Sequence, residues 1–177
     1  MTSAEPQIVL CARWQVEHLL QRHPRIAAVV SISDPGYPPA PGFHAIPYRL
    51  HLQFHDSIGP ARVRSDDYHP PTIEQVRQLA DFAQIVLEHP GPCLIHCSRG
   101  VSRSPAAALT CLCAWMQARL GPLSEDAIIQ LVQRFFARYS QVYPNRDLVQ
   151  IADHCLAMHD WLIAAVEILQ PGHTAEL

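Results

Sequence analysis

No lysine occurs in this sequence; all 13 of its basic residues are arginine. With 16 prolines and frequent alanine beside it, that bias reads as genomic composition and suggests a bacterial source, not a function. Positive charge is scarce as a whole, because the formal net charge is −3. A nucleic-acid binder draws on a broad basic field, so none is expected here and any anion recognition must be local. Cysteines are few and irregularly spaced, at positions 11, 93, 97, 111, 113 and 155, which excludes a secreted disulfide scaffold and points to a reducing cytoplasm. Long hydrophobic runs are lacking too. The opening "MTSAEPQIVLCARWQ" has no basic stretch leading into an apolar one, so neither export nor a membrane partner is expected. Repeats, charge blocks and low-complexity tracts are absent. The one compositional break, "DPGYPPAPGFHAIP", reads as an ordered or semi-rigid proline-rich loop.

What is present is a chain of 177 residues, 49% hydrophobic and 16% charged, enough for one globular domain over 1–177 with a real core. Short apolar runs alternate with stretches of helical spacing, the pattern of an α/β domain with a central, mostly parallel sheet. Strands are expected at 8–11, 26–33, 44–54 and 92–96, and four to five in all. Within 44–54, Leu50, Leu52 and Phe54 fall on one face and Arg49, His51, Gln53 and His55 on the other. Helices are expected from Arg13 to Pro24, over 72–89 with Thr72 and Gln75 at capping-box spacing, and over 104–121 with Gly121 as C-cap. Two more follow, one capped by Ser124 and one running from Asn145 to Leu169. Residues 57–71 carry too many breakers for an element and form a polar loop able to move.

Composition does not explain "HCSRGVSRS", residues 96–104, which falls on the turn from the 92–96 strand into the 104–121 helix. Backbone N–H groups after Cys97 feed a helix N-terminus, where they lack partners and carry the positive end of the dipole. Such a spot binds an oxyanion. Gly100 lets the backbone approach the ligand, and Arg103 offers a fork of donors to two oxygens at once. The same field favours a thiolate at Cys97, the form that attacks phosphorus.

The order C-x-x-G-x-x-R-S after His96 resembles the signature of the cysteine-based tyrosine and dual-specificity protein phosphatases, and the element pattern over about 8–120 is similar to that family's catalytic core. The helices over about 124–170 would pack against it. The resemblance implies a three-layer α/β/α fold of four to five strands and hydrolysis of phosphotyrosine, with phosphoserine or phosphothreonine as further substrates, through a phosphocysteine and without cofactor or metal. It assigns attack to Cys97 and the holding of equatorial oxygens to Arg103 and the loop Ser98, Arg99, Gly100, Val101 and Ser102. Ser104 would assist departure of the sulfur, and His96 would orient the loop and tune the thiol. Arg99 either widens the positive field or is a solvated surface arginine, and it stays outside the catalytic set.

Protonation of the leaving oxygen is assigned by the same resemblance to an aspartate on a loop before the signature. Asp56, in "FHDS" at a strand end, is preferred. It lies 41 positions before Cys97, longer than compact members usually show, and Asp66 and Asp67 inside that extra length remain alternatives. Cys93 is read as a core cysteine before a resolving thiol. His51 and His55 would stand about 13 Å apart by strand rise, too far for one tetrahedral metal. Tyr48, Phe54 and Trp14 are read as core or rim aromatics. Rival functions are a phosphoinositide or RNA 5′-phosphatase, an arsenate-handling enzyme, and a phosphate-binding adaptor. The missing lysines weigh against the phosphoinositide reading and the missing basic track against the RNA one; Cys93, upstream in the same strand, is poorly placed as the resolving thiol of the arsenate one, and the presence of both Cys97 and Arg103 weighs against the adaptor.

Overall fold

The computed structural model describes residues 6–56, 68–86, 89 and 91–170. Four strands form one sheet: β1 (Ile8–Ala12), β2 (Ala28–Ser33), β3 (Tyr48–Gln53) and β4 (Cys93–Cys97). Their order is β1-β4-β2-β3, and every pairing is parallel. β4 has neighbours on both sides and all five of its residues are buried, which is why it reads in sequence as an unbroken apolar run. Alternation along it sends Cys93, Ile95 and Cys97 to one face and Leu94 to the other.

The first face carries the larger core. There α2 (Ile73–Val86), α3 (Arg103–Leu120), α4 (Glu125–Arg138), α5 (Arg146–Cys155) and α6 (Trp161–Leu169) enclose Ile32, Leu52 and Phe54 from the strands. α3 is apolar nearly all round, as a helix buried against both a sheet and other helices must be. Leu79, Ile95 and Leu109, all fully buried, each contribute roughly 2–3 kcal/mol by removal from water. The second face is covered by α1 (Val16–Arg22) and the proline-rich loop, around Val16, Val29, Phe43 and Leu94. Three layers result, with four strands in the middle among the described residues. No helix of the described residues is long and apolar enough to cross a membrane.

Several sequence signals act as read. Gln75 N–H donates to Thr72 Oγ1 at 3.2 Å while Thr72 N–H donates to Gln75 Oε1 at 3.0 Å, a complete capping box. Ser124 Oγ accepts from Ala127 N–H and Asn145 Oδ1 from Leu148 N–H. The proline-rich loop is ordered: Arg13 donates to the carbonyls of Pro38 and Pro39, each at 2.9 Å, and Ala40 N–H donates to Ser31 Oγ.

The expected helix from Asn145 to Leu169 is two helices instead. The chain breaks after α5, with Ala157, His159 and Asp160 at positive φ, and α6 restarts at Trp161. The buried carboxylate of Asp153 makes the break favourable, accepting from Asp160 N–H at 2.8 Å, Leu162 N–H at 2.7 Å and Ile163 N–H at 3.1 Å. It satisfies the donors that the new helix start would otherwise leave unpaired. The strand expected over 44–54 is also shorter: Phe43–Ala45 is a 3-10 turn and β3 starts at Tyr48.

Candidate active site

The carboxyl ends of β1, β2, β3 and β4 meet beside the start of α3, where parallel α/β sheets place their ligands. Cys97 is the last residue of β4, paired in register with Ala12 of β1, and only 1% exposed. The chain then loops through 98–102 before α3 begins at Arg103. Gly100 N–H donates back to Cys97 Sγ at 3.2 Å, and Ser104 Oγ lies 3.3 Å from the same sulfur. Both contacts can stabilise negative charge on it. Gly100 has φ of 79°, and a Cβ there would stand 2.7–2.8 Å from backbone atoms of Cys11 and Ala12, so the loop can lie against β1 only with glycine at this position.

Arg103 is buried at 3% exposure. Its Nη1 donates to Asp34 Oδ1 at 2.6 Å and to the Phe54 carbonyl at 2.7 Å, and its Nη2 donates to Ser98 Oγ at 2.9 Å. Nε has no hydrogen-bond partner among the described residues; the nearest carboxylate oxygen, Asp56 Oδ2, is 3.8 Å away. One nitrogen of the guanidinium is thus saturated by the scaffold. The Nε–Nη2 edge retains the bidentate geometry that suits a phosphoryl group.

Asp56 is brought to the same place from the end of β3. Its Oδ1 accepts from Ser102 Oγ at 2.6 Å and from Asn145 Nδ2 at 2.8 Å. Asp66 and Asp67, the rival acids, lie outside the described residues, as does most of the loop they belong to. The neck of that loop is closed: His55 N–H donates to the His69 carbonyl at 2.7 Å, and His69 N–H returns to His55 Nδ1 at 3.0 Å. Tyr68 Oη donates to Asp147 of α5 at 2.9 Å.

Two residues that sequence reasoning gave other duties belong to this site. Asp34, read only as the first residue of the proline-rich loop, holds Arg103. Asn145, read as a helix cap, also donates to Asp56, and its N–H donates to the Ser102 carbonyl at 3.0 Å. Tyr143 N–H donates to the Val101 carbonyl at 2.7 Å, so the α4–α5 connection braces the phosphate-loop backbone at two points. The pair Pro144-Asn145 ahead of an apolar-periodic helix was the only local signal, and it signals capping alone.

His96 is fully buried on the sheet face opposite Cys97, and neither ring nitrogen has a partner among the described residues. Burial pushes its pKa down to about 4, against an opposing backbone interaction with Cys97, so the ring is neutral at pH 7. Ser98 and Arg99 are exposed on the loop; Val101 and Ser102 are half-buried. Burial drives the thiols of Cys111 and Cys113 up to about 12, burial and then Cys97 do the same at Cys11, and burial raises Cys93 well above its usual value. Cys93 sits in the larger core. No cluster able to hold a metal occurs among the described residues; His51 Nε2 lies 2.8 Å from Ser33 Oγ and His55 is engaged with His69.

No family model and no curated protein matches the chain. Solved structures do. DUSP15 superposes with a TM-score of 0.59 at 20% sequence identity, covering 95% of this chain and 95% of that one. OH1 from the Orf virus, a tyrosine phosphatase with triple substrate specificity, gives 0.56 at 14% identity, covering 96% and 86%. PTPMT1, solved in complex with PI(5)P, gives 0.54 at 14% identity, covering 90% and 93%. The chain therefore has the fold of the cysteine-based tyrosine and dual-specificity phosphatases.

Proposed function

We propose that the chain is a single-domain phosphatase that hydrolyses phosphate monoesters, phosphotyrosine first, through a phosphocysteine. The observation that carries this reading is convergence: the Gly100 amide and Ser104 hydroxyl meet on Cys97 Sγ, with the open edge of Arg103 and the Asp56 carboxyl beside them. In the first step the sulfur attacks phosphorus, the P–O bond to the leaving group breaks, and Asp56 gives that oxygen a proton. Arg103 and the loop amides hold the three equatorial oxygens, where charge gathers in the transition state. In the second step Asp56 takes a proton from water as it attacks, and the S–P bond breaks with Ser104 donating to the departing sulfur. Inorganic phosphate leaves and the thiolate is restored. Ser102 and Asn145 keep Asp56 at the cradle between the two steps.

The test is hydrolysis of para-nitrophenyl phosphate. Wild type turns it over and is inhibited by vanadate, whereas Cys97→Ser falls to background while still binding the oxyanion. Turnover by Cys97→Ser at the wild-type rate would end this reading.

A further inference from the structure

Among the exposed large apolar side chains of the described residues, the aliphatic ones lie on α2, α3 and α6, whereas all three aromatic ones, Trp14, Tyr37 and Tyr143, lie on segments hydrogen-bonded to the 98–102 loop or to the residue that holds Arg103. They are 79%, 65% and 51% exposed. A single exposed aromatic needs no explanation, but three around one cradle form an apolar rim.

Each is fixed at its backbone to the site. Trp14 occupies the 3-10 turn after β1, whose Arg13 N–H donates to the Ser98 carbonyl at 3.4 Å. Tyr37 has its carbonyl gripped by Ser33 Oγ at 3.0 Å and Gln53 Nε2 at 2.7 Å, while its N–H donates to the carbonyl of Asp34, the residue that holds Arg103. The Arg13 guanidinium ties these two segments together through Pro38 and Pro39. Tyr143 is bound at its N–H to Val101, across the loop from Trp14. Side chains with two torsions on a braced backbone lose little entropy when they bind.

Among the described residues, charge around the rim is slight. Arg13 is committed to two carbonyls and Arg99 is the exposed cation of the loop, with the half-exposed Asp34 carboxylate nearby. That offers little to a second phosphate or to an anionic membrane, and much to flat or branched apolar groups.

We infer that Trp14, Tyr37 and Tyr143 form a docking rim for an extended peptide, recognising apolar and aromatic residues on either side of its phosphotyrosine. This rests on the hydrolytic reading of Cys97 and adds a substrate class to it.

The experiment compares kcat/KM of the full chain on two phosphotyrosine peptides of equal length, one flanked by leucine and phenylalanine and one by glutamate. Wild type should prefer the apolar peptide about tenfold, and Trp14→Ser and Tyr37→Ser should each shrink that ratio severalfold, through KM. Leu120→Ser, at the exposed far end of α3, should leave the ratio unchanged. Equal kcat/KM for the two peptides in wild type, or a ratio unmoved in both rim variants, would overturn the inference. So would faster turnover of a phosphoinositide in anionic vesicles than of the apolar peptide. Para-nitrophenyl phosphate separates the two readings: no turnover of it overturns the hydrolytic reading, whereas turnover with indifferent peptides overturns the rim alone.

Discussion

Because Nη1 of Arg103 is already held between the Asp34 carboxylate and the Phe54 carbonyl, the guanidinium is set in place before a ligand arrives, and little reorganisation is left for the reaction. Asp34 is therefore a positioning residue. Asp34→Ala should lower kcat/KM for a small aryl phosphate roughly tenfold, the worth of one charge-assisted hydrogen bond, and Asp34→Asn should recover part of it by keeping an acceptor. Were Asp34 only a competitor for the arginine, Asp34→Ala would instead lower KM. His96 has a different consequence. Its pKa is about 4 in the fold against an ordinary 6.5, so between those values the unfolded chain binds the proton and the native one does not. Its contribution is complete above pH 6.5 and is lost as pH falls to about 4, in total on the order of 3 kcal/mol. His51, lowered by burial and then by Arg13 and His44, acts in the same direction. Denaturant unfolding between pH 7 and 4.5 should show stability falling with acid, and a shallower fall in His96→Asn.

At the scale of elements, the break between α5 and α6 hangs on one side chain. Asp153→Ala removes the acceptor for three N–H groups at the start of α6 and should destabilise the protein by at least about 2 kcal/mol. Thermal unfolding would register this while kcat on a small aryl phosphate stays close to wild type, since Asp153 lies about two helical turns along α5 from Asn145, which meets the site. No glycine or proline marks that break in the sequence, and the cap reaches seven to ten positions along the chain, so apolar periodicity ran straight through it. The capping box of α2, the buried β4 run and the alternation of Leu50, Leu52 and Phe54 were legible because each is local. The turn from β4 into α3 was legible for the same reason: from Cys97 to Ser104 the groups that gather on the sulfur come from one short run of residues. Asp34 and Asn145 were not, because they reach Arg103 and Asp56 across 69 and 89 positions and each already had a sufficient local duty.

For the whole molecule, the site is a seam along the carboxyl edge of the sheet, braced by the α4–α5 connection. A ligand that binds only this assembled edge stabilises the fold by mass action, about 2.7 kcal/mol at a hundred times its dissociation constant. Vanadate should therefore raise the melting temperature of wild type and of Cys97→Ser. It should not raise that of Arg103→Ala, which lacks the fork. The bonds from Asn145 to both Asp56 and the Ser102 carbonyl carry one more consequence. Asp56 and the loop after Cys97 are both clasped by a residue that follows the whole of β4, α3 and α4. A fragment ending before that residue would contain the full signature and Asp56 yet join them through the Ser102 hydroxyl without the second clasp, so on the proposed reading full catalytic competence arrives only when the last helices close.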